Sequence, residues 1–359
     1  MQEPVAAPNR GNVRRFRWRR AVLLLLAVWA AGEIVLRLAD RLRGTTTGSL
    51  YDFVIPVSTR FKMRPDTVVT VPERYGDIVY RVNHDGYRDG DHDPAWRGPR
   101  LLWLGDSVTF GLGVAQERTY AARIARQLAA ASPPWDTMNM AIFAYDTRHE
   151  LLTLEEDGLK YHPRVVVLEF FMNDFSISSA IPRPSDVSWP DRLAALKNRL
   201  LYKSALFLRA QQLVLGGSYL LFHDARRNHF PQSLNTGEPA GEVAKLTAHP
   251  DDASLPTLAA LAAIAATSRA HQARLLVFIS PDEVQLFTER FDLINRRVGA
   301  FCRRMGIATF DPLPLLRARA DRTRLFNDGV HYSDHGHQVM ARLLLDALRS
   351  GGFLAGPAG

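Results

Sequence analysis

The chain has 359 residues, 47% hydrophobic and 23% charged, an ordinary globular composition that excludes a disordered or low-complexity protein. Its formal charge is +8, but residues 1–43 hold nine arginines against Glu3, Glu33 and Asp40, a balance of +6. The remainder is therefore nearly neutral and calls for no nucleic-acid surface, and the single Cys302 can form no internal disulfide.

Residues 1–20 form a basic arm ending in RRFRWRR, which reads as cytosolic. Residues 21–43 follow as an apolar anchor and its flank, AVLLLLAVWAAGEIVLRLADRLR. The eighteen residues 21–38 reach roughly 27 Å as a helix, enough to span a thin bilayer, with Glu33 and Arg37 as interruptions. Six arginines precede Ala21, so the positive-inside rule holds the N-terminus in the cytosol and sends the rest across. Two other readings compete with a retained anchor. Val28 and Ala30 offer a signal-cleavage site after Ala30, or the helix lies in the membrane plane with Glu33, Arg37 and Asp40 on its wet face.

Residues 44–99 are rich in turns and short extended pieces, such as TVVTV at 67–71 and IVYRV at 78–82, and read as a membrane-proximal extension. From residue 100 to about 354 the pattern changes. Five apolar runs read as buried strands: LLWL at 101, TMNMAI at 137, VVVLEFF at 165, LLVFIS at 275 and GIATF at 306. Between and after them lie helix-like segments beginning near Thr119, His149, Leu255, Phe291 and His337. Thr147 and Glu150 have the spacing of a capping box for the second of these. Alternating strand and helix predict an α/β fold with a five-stranded parallel sheet between helical layers. An insertion at about 176–250 breaks the rhythm and reads either as an extra helical layer or as a lid.

Ligands of an open parallel sheet bind outside the carboxyl ends of its strands. The first strand ends in LGDS, where Gly105 permits a tight turn, Asp106 holds it and Ser107 is the first exposed side chain beyond it. A serine hydroxyl needs a base held by a third group. FNDGVHYSDHGH supplies one: Asp328 and His331, three apart, fit one turn in which the carboxylate orients the imidazole. A tetrahedral intermediate also needs oxyanion donors. The third strand ends in FMND, placing the amide of Asn173 at the same edge; the backbone N–H groups near Ala144 and of Ser107 are the other candidates. A competing zinc reading groups His331, His335 and His337 with Asp328.

GDS at 105–107, ND at 173–174 and DxxH at 328–331, in that order, resemble the SGNH/GDSL hydrolase superfamily. VNHDGYRD at 82–89 resembles its membrane-anchored bacterial branch. The resemblance implies a flavodoxin-like three-layer fold preceded by an N-terminal membrane helix. It also implies Ser107 as nucleophile, His331 as base, Asp328 as its orienter, and an oxyanion hole of Ser107, Ala144 and Asn173. The chain departs from the family pattern at two positions, where glycine is replaced by Ala144 and by Phe171.

The expectation is a serine esterase or acyl-hydrolase that needs no cofactor and no metal. It acts on an ester or acylated carbohydrate outside the cytosol, contacts the lipid bilayer through residues 21–38 and binds no nucleic acid. Its expected location is the inner membrane, crossed once, with the catalytic domain periplasmic. Two alternatives stand beside it: a polysaccharide O-acyltransferase (O-acetyltransferase) using the same triad, and a catalytically weak carbohydrate-binding protein.

Overall fold

From Arg10 onward the basic arm and the apolar stretch form one continuous helix, α1 (Arg10–Leu42), in the computed structural model, which describes residues 10–57, 60–73, 76–175, 203–215, 255–289 and 292–355. Leucine, alanine and arginine are strong helix formers, and no proline interrupts them. The helix stops where Gly44 takes a left-handed conformation at φ +62°. Its Trp18–Leu42 portion is long and apolar enough to cross a membrane, with a mean hydropathy of 2.1 over its most apolar window of 18 residues.

Residues 44–99 build two small sheets. β1 (Thr46–Thr47), β4 (Val68–Glu73) and β5 (Gly76–Arg81) form one; β2 (Val54–Val57) and β3 (Arg60–Met63) form an antiparallel hairpin. They pack on the main sheet through buried aromatics and ion pairs. Tyr80 of β5 is fully buried and stacks on Phe110 at 5.7 Å. Lys62 pairs with Asp157, and Lys160 with Asp85, each at 2.8 Å.

The five apolar runs become five parallel strands: β6 (Arg100–Leu104), β7 (Asp136–Asn139), β8 (Val165–Phe170), β9 (Arg274–Ile279) and β10 (Ala308–Phe310). Every residue of β6 and β8 is buried, which is why these runs show no polar alternation. Each Leu or Val buried there contributes roughly 1.5–3 kcal/mol. β7 is shorter than its apolar run. The Asn139 side chain accepts from Ala141 N–H (3.1 Å) and donates to the Thr109 carbonyl (3.1 Å), which turns the chain out of the sheet.

The order β10–β9–β8–β6–β7 is the flavodoxin-like arrangement, with its switch point between β6 and β8. The helices are α2 (Ser107–Phe110), α3 (Tyr120–Ala129), α4 (Thr147–Thr153), α5 (Ala205–Leu215), α6 (Pro256–Ala270), α7 (Asp292–Arg304), α8 (Leu313–Arg317) and α9 (Asp334–Ser350). Right-handed crossovers running one way from β6 to β7 and the other way from β7 onward put α3 opposite α4, α6 and α7. The packing agrees: α3 lies against α9, and α4 against α6. The result is the three-layer fold expected from the sequence.

The capping box expected at Thr147 and Glu150 is not formed. Asp146 caps α4 instead, accepting from the N–H groups of Arg148 (3.1 Å) and His149 (3.2 Å), while Glu150 turns into the core. A carboxylate one residue earlier completes the same orphan donors with a charge, and that outcompetes a hydroxyl. The insertion lies largely outside the described residues. Within it, α5 lies against α1 and β4.

Candidate active site

At the switch point, β6 delivers Ser107 and β8 delivers Asn173 to one edge. The turn between Leu104 and Ser107 admits only glycine. A Cβ on Gly105 would lie 2.5 Å from Thr109 Oγ1 and 2.9 Å from Glu169 Oε2. Asp106 then caps α2, its Oδ1 accepting from Val108 N–H at 2.8 Å. Ser107 opens that single helical turn and is only 5% exposed, so it is not the exposed side chain expected from the sequence. His331 of the 327–331 loop covers its hydroxyl, and the β-sheet extension packs beyond it on the far end of α2, where Tyr80 stacks on Phe110 and its Oη accepts from Gly113 N–H at 3.0 Å.

The Asp328–His331 pair is built locally. Asp328 Oδ1 accepts from the N–H groups of Val330 (3.1 Å) and His331 (2.8 Å), and Asp328 Oδ2 accepts from His331 Nδ1 (2.8 Å). With Nδ1 donating to a carboxylate, Nε2 is left as the acceptor, and it lies 2.8 Å from Ser107 Oγ. The ring is 98% removed from solvent, at 2% exposure. Burial alone would lower its pKa; the Asp328 charge and hydrogen bond outweigh it, Asp106 and Glu73 add to them, and the imidazole titrates above its ordinary value.

Glu73, at the end of β4, brings a further carboxyl from the extension to this pair. It is 8% exposed. Burial pushes it up, the nearby His331 pulls it down, Asp328 pushes it up again, and it titrates at about 8. Arg88, from the VNHDGYRD stretch, braces the other end of the nucleophile turn. Its guanidinium donates to the carbonyls of Phe110 (2.9 Å), Gly111 (2.5 Å) and Val114 (2.6 Å) and lies 4.2 Å over the Tyr80 ring. The carbonyls of Phe110 and Gly111 close α2, so the arginine fixes the exit of the turn whose entrance holds Ser107. Neither role was readable in the sequence, because both depend on how the extension docks; only the density of polar residues in VNHDGYRD hinted at one.

Ala144 adopts φ +61°, a left-handed conformation that costs an alanine about 1–2 kcal/mol and a glycine almost nothing. The backbone thus holds the shape the family's glycine would take. Ala144→Gly should raise stability by about 1 kcal/mol with activity preserved, measured by thermal unfolding and ester turnover. A collapse in activity without unfolding would show that the methyl packs in the cleft.

Asn173 lies in a short turn after β8 (Met172–Phe175), and its Nδ2 donates to Asp106 Oδ2 at 2.8 Å. This bond sets the plane of the amide. Asn173→Ala should lower kcat by about 10²-fold or more with little change in KM. Loss of stability with kcat retained would instead make Asn173 a brace for Asp106.

Behind Ser107 stands a group of buried acids. Glu169 Oε2 accepts from Asp106 N–H (3.3 Å) and Thr109 Oγ1 (3.2 Å). Burial first, then mutual repulsion with Asp106, raises Glu169 and Asp174 well above the usual carboxylate range. Glu150 is raised in the same way, by burial and then by Asp174 and Glu169. Burial and facing carboxyls both favour the protonated form of these acids. A lone acid in the apolar run VVVLEFF was the one sequence signal of this arrangement.

The histidines of the zinc reading do not converge. His335 Nε2 bonds Asp321 Oδ2 at 2.6 Å, and His337 Nδ1 accepts from Tyr120 N–H at 3.1 Å. Among the described residues no group of three or more His, Cys, Asp or Glu is disposed to hold a metal ion.

A serine, a histidine and a carboxylate in hydrogen-bonded sequence at the carboxyl edge of a parallel sheet define a class, the hydrolases with a serine nucleophile. The chain belongs to the GDSL-like lipase/acylhydrolase family, whose model matches residues 103–339, and it is accordingly a serine hydrolase acting on esters. No curated protein matches it. Among solved structures it is similar to TesA (15% identity, 70% of this chain and 98% of that one, TM-score 0.42). It is also similar to a lipase/acylhydrolase from Enterococcus faecalis (12%, 71% and 97%, 0.43) and to the acetyl xylan esterase AlAXEase (14%, 69% and 99%, 0.42).

Proposed function

We propose that the chain cleaves an ester through an acyl-serine intermediate, with Ser107 as nucleophile, His331 as general base and Asp328 as its orienter. The reading is carried by one observation, the unbroken chain Ser107 Oγ, His331 Nε2, His331 Nδ1, Asp328 Oδ2, each link 2.8 Å. Ser107 Oγ attacks the ester carbonyl while its proton passes to His331 Nε2. The N–H groups of Ser107 and Ala144 and the amide of Asn173 receive the oxyanion. Collapse returns the proton from Nε2 to the leaving alcohol and leaves the acyl group on Ser107. Water, deprotonated by the same nitrogen, then releases the acid.

The reaction is assigned to the outside of the cytosol, with α1 as a retained single-pass anchor in the inner membrane and the hydrolase domain, residues 100–354, in the periplasm. The six arginines before Ala21 support that orientation. Transfer of the acyl group to a sugar hydroxyl uses the same residues, with an alcohol in place of water. Incubating the purified full-length protein with an acyl ester, with and without an oligosaccharide acceptor, separates the outcomes. Free acid in both mixtures is the expected result. Acylated sugar would make the protein a transferase, and neither product would leave it a binding protein.

A further inference from the structure

The anchor helix carries two kinds of residue in its last three turns, and the fold sorts them. Glu33, Arg37 and Asp40 face the protein. Glu33 accepts from Ser204 Oγ (2.9 Å) and from the N–H groups of Ala205 (3.0 Å) and Leu206 (3.0 Å), capping α5 from outside. Arg37 donates to Glu33 (2.9 Å) and to the Thr47 carbonyl (2.7 Å). Asp40 accepts from Thr47 N–H (2.7 Å) and Thr47 Oγ1 (2.9 Å). The opposite side bears Ile34, Val35, Leu38 and Leu42, each more than half exposed. The wet face once expected of Glu33, Arg37 and Asp40 is therefore a docked face, and the outward face is apolar.

Length then decides where the bilayer ends. If it ended where docking begins, at Gly32, the free apolar segment would be residues 21–31, roughly 17 Å of helix, far short of a hydrocarbon core of roughly 30 Å. On the outward side the uncharged stripe runs on to Arg41. The twenty residues between Arg20 and Arg41 span roughly 30 Å, with arginines at both ends to reach the headgroups. Above Gly32 the large apolar side chains from Val22 to Val28 are exposed all round the helix, which a single partner helix cannot cover and lipid can.

We propose that the bilayer continues along the outward face of α1 to Leu42, so that the junction of α1 with the start of α5 sits within the outer leaflet and the hydrolase domain is partly sunk in the membrane rather than tethered above it. Glu33 and Arg37 are compatible with that depth because each is neutralised by the other and by backbone partners. The inference rests on the anchoring proposed above.

The test uses the full-length protein in vesicles of phosphatidylethanolamine and phosphatidylglycerol, with single cysteines at Leu25, Leu38 and Ala95 carrying an NBD fluorophore; Cys302 is buried. Leu25→Cys and Leu38→Cys should both lose fluorescence to doxyl-labelled lipid, and Ala95→Cys to aqueous iodide. Quenching at Leu38 by iodide, with Leu25 still quenched by lipid, would overturn the sunken seat while leaving the anchor intact. Quenching of both by iodide would remove the anchor itself, and the inference with it. Protection of Leu38 from both quenchers, with disulfide cross-linking between unlabelled Leu38→Cys chains, would assign the face to a second copy and equally overturn it.

Discussion

Ester turnover by Ser107→Ala should fall by about 10⁴-fold or more, with the fold intact. The loss is large because the acyl-enzyme cannot form once the hydroxyl held in line with His331 and Asp328 is removed. What remains is catalysis by binding and by the oxyanion donors. Stability should change by no more than about 1 kcal/mol, since the serine hydroxyl gives up one hydrogen bond and Asp106, which holds the turn, is untouched. Turnover within a few-fold of the parent protein would end the serine mechanism. Unfolding of the variant, read by circular dichroism, would show instead that the buried Ser107 is a packing residue.

Asp328→Asn should lower kcat by about 10⁴-fold and move the pH profile as well. The asparagine oxygen keeps the two backbone N–H bonds that shape the 328–331 turn, so the loop should persist. The carboxylate that fixes the His331 tautomer is gone. The sign of the pH effect follows from the same geometry. His331 must be neutral to act as base, and in the parent its pKa is raised, so activity should fall as the pH drops through a value above 6.5. Burial opposes that elevation and Asp328 is the principal cause of it. In the variant the residual activity should therefore persist to lower pH. An acid limb left where it was would show that Asp106 and Glu73, rather than Asp328, set the titration of the base.

The strands were legible because a parallel sheet covered on both faces demands continuous apolar runs, as Val165–Phe170 illustrates, and their order follows from the crossover rule once the helices are placed. That Ser107 and Asn173 share an edge follows from the switch point between β6 and β8. The departures each have a tertiary cause. Asp146 displaced Thr147 as the cap of α4 because the chain entered that helix one residue earlier than the spacing suggested. Ser107 is buried where the 327–331 loop brings His331 onto it and the 44–99 extension packs on the same short helix at Phe110, and no local pattern encodes that docking. Arg88 braces Phe110 and Gly111, and Glu73 faces His331, both far along the chain, so a motif could be seen in VNHDGYRD without its work being visible. Glu33, Arg37 and Asp40 look like flaws in a membrane span until Thr47 and the start of α5 are seen to receive them.

Formation of the acyl-enzyme on Ser107 is tested most directly by trapping. The full-length protein should be treated with a fluorophosphonate, digested and examined by tandem mass spectrometry, beside Ser107→Ala and His331→Ala. One phosphonyl adduct is expected, on Ser107, absent from Ser107→Ala and formed far more slowly in His331→Ala. An adduct on another serine, or equal labelling of the His331→Ala protein, would contradict it.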